Sequence, residues 1–548
     1  MEFITEKRQK MQELAFLEEP EKDGFGTTCL FNLLYKPELR AEANEKLLKT
    51  ARWFQLSHPT TPGRDLQGEP DFVSIRMVRT IYLCDKYIYP HVKEEIIKFF
   101  TKEDFQSKYK SENHILMFSV SKLLAAQKFK DAYFSQYNMS ASEMYEKEVE
   151  FLTEFIKFRA KRGWAEFDSL NYAPEIILCL LNIIDFCEDK KLCELSENAL
   201  NLILLDMIAD CLGSLYCGAH GRSYEHSVLD YKNSGMYEVF NYYFVPDAEV
   251  CRLESAICTS DFIPAKYVYD ALNSKPDTYE NYESKHLHSI TMGPPQMFVL
   301  QVPGSINKYT YITPYYGIGA VNYQDPYPEN SPAAWYSHHQ QHEWDLTFSG
   351  GTDIRIFTHH PGSFGTEGAE HGYWSGDLCC LCGQVFCNKN TLIATYDIKK
   401  DKMQFIHANI PFKYFEVIKD DKYLFLKRDN IFVSLWFSNG YRIEDEGKYA
   451  EHEVLSDGNK HFVAVKVGTS EEYRDFDDFI KKIKEIKPVI DPDTMTMEYD
   501  NIKLNHNERF IDGKKVSFRY NTYESPIMFE EFGSGMVTVG KEAILDFN

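Results

Sequence analysis

Residues 172–215 read YAPEIILCLLNIIDFCEDKKLCELSENALNLILLDMIADCLGSL. Ile176, Ile177, Leu180, Leu181 and Ile184 recur at three- and four-residue spacing, and so do Leu202, Leu205, Ile208, Ala209 and Leu212. That period lines one side of a helix with apolar groups. The stretch therefore predicts two amphipathic helices joined by a polar turn at Glu188–Lys191. The same period runs through 71–100, 111–131 and 140–162. Repeated helix pairs of this length predict a helical toroid or solenoid. No strict sequence repeat accompanies them, which weakens the solenoid option.

Downstream the pattern changes. Residues 273–295, NSKPDTYENYESKHLHSITMGPP, are polar and rich in turn formers, so they read as a linker. Short β-type runs follow at Met297–Val302, Tyr309–Tyr316, Ile354–Thr358, Gln384–Cys387, Thr391–Tyr396, Tyr423–Lys427, Ile431–Phe437, Phe462–Val467 and Val516–Tyr520. Asp512-Gly513 is a strong hairpin-turn signal. A helix is expected near Glu471–Ile486. Many strands without intervening helices predict an antiparallel sandwich. The expected fold class is α+β multidomain: a helical toroid over 1–285 and an antiparallel β-sandwich over 286–548.

Composition narrows the partners. The chain has 548 residues and a net charge of −23, with acidity spread over both halves. Nucleic-acid binding needs a basic footprint, and an anionic membrane surface would be repelled. No nucleic acid and no membrane partner are expected. The N-terminus, MEFITEKRQKMQELAF, is charged and lacks an apolar leader, so a cytoplasmic address is expected. Thirteen cysteines without a framework suit a reducing compartment. Cys379, Cys380, Cys382 and Cys387 lie in DLCCLCGQVFC, which reads as buried strand cysteines or, less readily, a metal site.

Three polar knots stand out in the helical half. They are Ser111-Glu112-Asn113-His114, Gly163–Tyr172 (GWAEFDSLNY) and Gly218–His226 (GAHGRSYEH). Each could be plain capping and turn chemistry, with Ser111, Asp168 or Ser169 as caps and Gly218 and Gly221 as turn glycines. Taken together they offer Asn113, His114, Asn171, Tyr172, His220, Arg222 and Tyr224. Amide, imidazolium and guanidinium groups can hold a carboxylate and stabilise an enolate. A Tyr or His can take the α-proton, and a Tyr can protonate the leaving oxygen. On a uronic acid this is β-elimination.

SENHILMF, GWAEFDSLNY and GAHGRSYEH, spaced about 50 residues apart, with FTHHPG and YWSGD in the second half, resemble a bacterial group of polysaccharide lyases. Its architecture is that of the heparinase II/III-like, chondroitin AC lyase-like and alginate lyase-like enzymes, an (α/α) toroid followed by a β-sandwich. The resemblance implies catalytic roles for Asn113, His114, Asn171, His220, Arg222 and Tyr224. Tyr231, nine residues after Arg222, is the reserve tyrosine. Trp164, Glu166, Tyr172, Tyr231, His359 and His360 are the expected substrate contacts. The implied partner is an acidic oligo- or polysaccharide. No cofactor is expected for the chemistry, although such sandwiches can carry a structural zinc on His and Asp. Candidates here are His338, His339, His342, Glu343, Asp345, His359, His360 and His371.

Two other readings stay open. A glycoside hydrolase would use Glu166 or Asp168 as acid, with Asp65 or Glu112 as base, two carboxyls across a cleft. A non-catalytic glycan-binding protein would present aromatic platforms such as Trp53, Trp164 and Trp335.

Overall fold

The computed structural model describes residues 2–15, 27–56, 70–102, 112–164, 166–248, 255–289, 300–323, 342–361, 373–374, 383–505, 508–517, 520–541 and 543–548. The first half is helical: α1 (Glu2–Ala15), α2 (Thr27–Tyr35), α3 (Arg40–Leu56), α4 (Pro70–Cys84), α5 (Pro90–Lys102), α6 (Glu112–Lys128), α7 (Ala141–Arg162), α8 (Ala173–Phe186), α9 (Lys190–Asp210), α10 (Glu225–Leu229), α11 (Gly235–Phe244), α12 (Ser255–Thr259) and α13 (Lys266–Asn273). The predicted pair at 172–215 is α8 and α9, which pack on each other. Asp189 caps α9, its carboxylate accepting from the amides of Lys191 and Leu192. The helical period over 71–100 is carried by two helices. The chain breaks at Asp85–Tyr89, because Pro90 cannot continue a preceding helix but suits the first position of a new one.

Within the stretch 273–295, expected as a linker, residues 279–289 are strand, and 290–295 lie outside the described residues. Tyr279–Ser289 is an eleven-residue strand that crosses the expected 285/286 boundary and pairs with Leu300–Ile312. Its polar residues do not mark a solvent-facing segment, because Asn281, Glu283, Ser284 and Lys285 are all buried. Asn281 bonds to Asp210 and Lys285 to Asp168 and Asp206 of the helical half, whereas Ser284 bonds to Asn307 on the neighbouring strand.

The described strands form large antiparallel sheets. One has twelve strands, running in order from Arg442–Ile443 through Glu453–Asp457, Phe405–Asn409, Arg355–His359, Trp344–Phe348, Tyr316–Tyr323, Leu300–Ile312 and Tyr279–Ser289 to the hairpins of 523–546. A second has six strands, with Ile431–Phe437 near its centre. The two pack over a shared core that includes Ile318, Trp344, Leu346, Leu392, Leu424, Val433 and Val463. Helix α14 (Phe476–Glu485) covers Phe425 and Phe432 on the opposite side of the six-stranded sheet, using Phe476 and Phe479. A five-stranded meander over 489–516 adds Met497, Tyr499 and Ile502 to that side. Double coverage explains why every residue of Ile431–Phe437 is buried and why the run reads as continuously apolar. The Asp512-Gly513 turn is present, both residues at positive φ. No described helix is long and apolar enough to cross a membrane.

The helical half sits directly on the twelve-stranded sheet. His220 and His342 exchange backbone hydrogen bonds at 2.9 Å in both directions. Nearby, a Cβ on Gly319 would lie 2.7 Å from the Tyr309 carbonyl oxygen and 3.0 Å from the Gly218 Cα. Both neighbours are backbone, so neither can swing away. Gly319→Ala is expected to destabilise the protein by about 1–3 kcal/mol through overpacking, read as a lower urea midpoint.

Candidate functional site

The first turn of α6 supplies Glu112, Asn113 and His114, all buried. The Asn113 side-chain oxygen accepts from the His114 amide at 2.6 Å. His114 Nδ1 is bonded to the Asp71 carboxylate from the first turn of α4, and Phe72 packs edge-on to the imidazole. Glu112 reaches to the second knot. Its Oε1 accepts from the Glu166 amide at 2.8 Å, and its Oε2 lies 3.2 Å from Arg159 Nε.

The second and third knots meet side by side. Gly221 donates its amide to the Phe167 carbonyl at 2.7 Å, and His220 Nδ1 lies 3.0 Å from the Asp168 carbonyl oxygen. Ser169 Oγ accepts from the Tyr172 amide and donates to the Arg222 carbonyl. Arg222 sits at a positive φ of 50°. Its Nε lies 3.4 Å from Glu166 Oε1, and its Nη2 donates to Tyr172 Oη at 2.9 Å. The Tyr172 and Tyr224 phenols are hydrogen-bonded to each other. Asn171 donates to Ser227 Oγ at 3.0 Å. So residues some fifty positions apart converge, as the spacing of the knots anticipates.

Their exposure differs in a useful way. Asn171, Tyr172, Arg222 and Tyr224 are part-buried and form an accessible rim, with His226 exposed beside Tyr224, whereas Trp164 packs on Phe155 and Arg159 of α7. Glu166 lies beneath. Burial pushes its carboxyl up to about 7, against the pull of Arg222. Burial also raises the Tyr172 phenol, opposed by the same guanidinium. The rim thus offers one fixed cation, two linked phenols and a carboxamide, over a buried carboxyl that burial lifts to about 7. Such a set can hold an anionic ligand and pass a proton.

Other expected site residues lie elsewhere. His220 is fully buried, and burial with Lys308 and Arg355 nearby holds its imidazole well below the usual range, so it is neutral. Tyr231 is 1% exposed and packs on Tyr237 within the helical core, which gives it no place on the rim. His359 and His360 are also buried. His360 Nε2 is bonded to the Met403 carbonyl at 2.9 Å, and His359 Nδ1 faces the Trp374 carbonyl at 3.1 Å. Neither is placed to touch substrate. Asp65, Ser111, Trp335, His338, His339, His371, Cys379, Cys380, Cys382 and the Trp53 side chain lie outside the described residues. Cys387 is a buried strand cysteine.

The described histidines do not fit a structural zinc. His342 Nδ1 and His359 Nε2 bond to each other at 3.0 Å, and His342 Nε2 lies 3.1 Å from Asp345 Oδ2. That same carboxylate oxygen is paired with Arg355. Its donors are thus spent on one another and on a guanidinium. Asp168, Asp210 and Glu283 do come close enough together to suggest a cation site. Two cations already occupy that place. Lys285 is paired with Asp168, Asp206 and Glu283, and Lys308 with Asp168 and Asp210.

Asp71, Arg159, Lys285 and Lys308 were not anticipated. The available signal was charge inside otherwise apolar or strand-like runs, as in PDFVSIRMVRTIYLC of α4. Ionisable groups are seldom fully buried unless paired, so such charges imply partners. No family model matches the chain, and no curated protein matches it.

Proposed function

We propose that the protein is a lyase that cleaves a uronic-acid-containing oligo- or polysaccharide by β-elimination. The carrying observation is the hydrogen-bonded chain Arg222–Tyr172–Tyr224 on an accessible rim, with the Asp71-oriented His114 behind it. Arg222 and Asn171 neutralise the substrate carboxylate, which acidifies the α-proton. Tyr224, as the phenolate, takes that proton and returns it to the leaving oxygen, while the Tyr172 hydroxyl, itself held by Arg222, donates to the phenolate oxygen. The helical half is read as an (α/α) toroid. In support, α4 packs on α6, α6 on α7 and α8, and α8 on α9.

The hydrolase alternative rests on Glu166, whose carboxyl at about 7 suits a general acid. Its other acid fares worse. Burial works to raise Asp168, but Lys285 and Lys308 override it and hold the carboxyl far below the usual range. Such a group has no proton to give. Glu112 is tied to Arg159 and the Glu166 amide.

The test is incubation with a panel of uronic-acid oligosaccharides and polymers while following the ultraviolet absorbance of the unsaturated product. A rise in absorbance supports elimination. New reducing ends without that rise would transfer the assignment to hydrolysis, and binding without either product would leave a glycan-binding protein. Glu166→Gln separates the first two. Under elimination, ionised Glu166 competes with substrate for Arg222, so KM rises with pH through about 7 in the wild type and stays flat in E166Q. Under hydrolysis, E166Q abolishes turnover.

A further inference from the structure

The α8–α9 hairpin brings two thiols together at its turn. Cys187 is the residue at which α8 ends, and Cys193 lies in the first turns of α9. Cys193 Sγ lies 3.3 Å from the Cys187 carbonyl oxygen and 3.5 Å from the Ile183 carbonyl oxygen, so it is seated over the last turn of α8. The Cys187 thiol is hydrogen-bonded to the Cys193 sulfur. Both are free thiols. Cys187 is 4% exposed, whereas Cys193 is only part-buried and can be reached from solvent.

We propose that Cys187 and Cys193 are a peroxide-reactive thiol pair that closes to a reversible intramolecular disulfide. Cys193 is the attacking sulfur and Cys187 the resolving one. The local electrostatics suit the first role. The hydrogen bond from Cys187 outweighs burial and, with Lys190, brings the Cys193 thiol down to about 7. The Asp189 carboxylate that caps α9 opposes this shift without cancelling it. Other described cysteines, such as Cys179, Cys211 and Cys387, are buried, and burial pushes their thiols well above the ordinary value.

The step balances as follows. The Cys193 thiolate attacks the terminal oxygen of a hydroperoxide, the O–O bond breaks, and an alcohol or water leaves with one added proton. Cys193 is now a sulfenic acid. The Cys187 thiol gives up its proton and attacks that sulfur, the S–O bond breaks, and the hydroxide leaves with the proton as water. Two thiols lose two electrons to one hydroperoxide, and a dithiol reverses the change.

The test is treatment of the full-length protein with a small excess of hydrogen peroxide, digestion without reduction, and tandem mass spectrometry. The expected result is a Cys187–Cys193 link, two hydrogens lighter and removed by dithiothreitol. In Cys187→Ser, Cys193 is expected to accumulate as a sulfenic acid that dimedone traps. Cys193 alkylation by iodoacetamide is expected to have its half-maximal rate near pH 7 and, at that pH, to run roughly tenfold faster than at an ordinary thiol. If both residues stay thiols while circular dichroism reports an intact fold, the proposal is wrong. A link from Cys193 only to some other cysteine would overturn it as well. None of these readouts depends on the lyase reading.

Discussion

Tyr224→Phe is expected to lower kcat for uronate elimination by about 10²–10⁴-fold, the range for loss of a positioned acid–base group. The substitution removes one oxygen and keeps the ring. Tyr172 retains its hydrogen bond from Arg222 at 2.9 Å, and Arg222 retains Glu166 at 3.4 Å. The carboxylate pocket therefore survives, and KM should move little. A binding role for Tyr224 would give the opposite split, with KM raised and kcat kept. Tyr172→Phe differs again, because it leaves Arg222 Nη2 without its phenol partner and frees the Tyr224 hydroxyl to rotate. Both constants should worsen. Arg222→Lys is not a rescue. A lysine has a single ammonium, whereas the guanidinium reaches Glu166 through Nε and Tyr172 through Nη2 at the same time. Retention of more than about half the wild-type kcat in Tyr224→Phe would remove Tyr224 from the chemistry.

Local signals carried most of the fold. Apolar spacing located α6, α7, α8 and α9 to within a few residues, except that α9 stops at Asp210 where a short hairpin through Gly213 begins. Turn residues locate the hairpin at Asp512-Gly513. What escaped was long-range. The strand Tyr279–Ser289 carries polar groups that look solvent-facing, and distant partners explain why they are buried: Asp168 and Asp206 for Lys285, Asp210 for Asn281 and Asn307 for Ser284. The site followed the same division. The knots were visible because Gly, Asn, His and Arg crowd short segments, and the structure brings Tyr172, Arg222 and Tyr224 into bonding distance. Which histidines sit on the rim was not visible. His220 is covered by the sheet laid over it, while His359 and His360, at the end of one of its strands, are buried within it.

That covering sheet is held by charge, and this yields the largest expected stability effect. Lys308→Met should destabilise the fold by about 3–5 kcal/mol, the usual consequence of stripping one partner from a buried ion pair. Lys308 is 1% exposed. It bonds Asp168 at 2.6 Å and Asp210 directly, joining the loop before α8 and the end of α9 to the strand Leu300–Ile312. Methionine fills similar volume but strips Asp210 of its lysine and leaves Asp168 with Lys285 alone. Asp210→Asn in that background should recover part of the loss, and the coupling can be measured by a double-mutant cycle on urea midpoints. An unchanged midpoint in Lys308→Met would mean that solvent reaches the cluster. The pH dependence carries two opposite signs. Asp168 is held below its ordinary 3.8, so its stabilisation is present above that value and fades as the solution is acidified. Burial, reinforced by Asp168 and opposed by Lys285, lifts Asp206 to about 6. A raised acid acts the other way: its contribution is complete below 3.8 and is lost as the pH climbs through about 6. Asp206→Asn should therefore flatten the stability profile between these two values and leave the acid limb in place. A profile identical to wild type would mean that Asp206 is ionised throughout that interval and that Lys285 outweighs its burial.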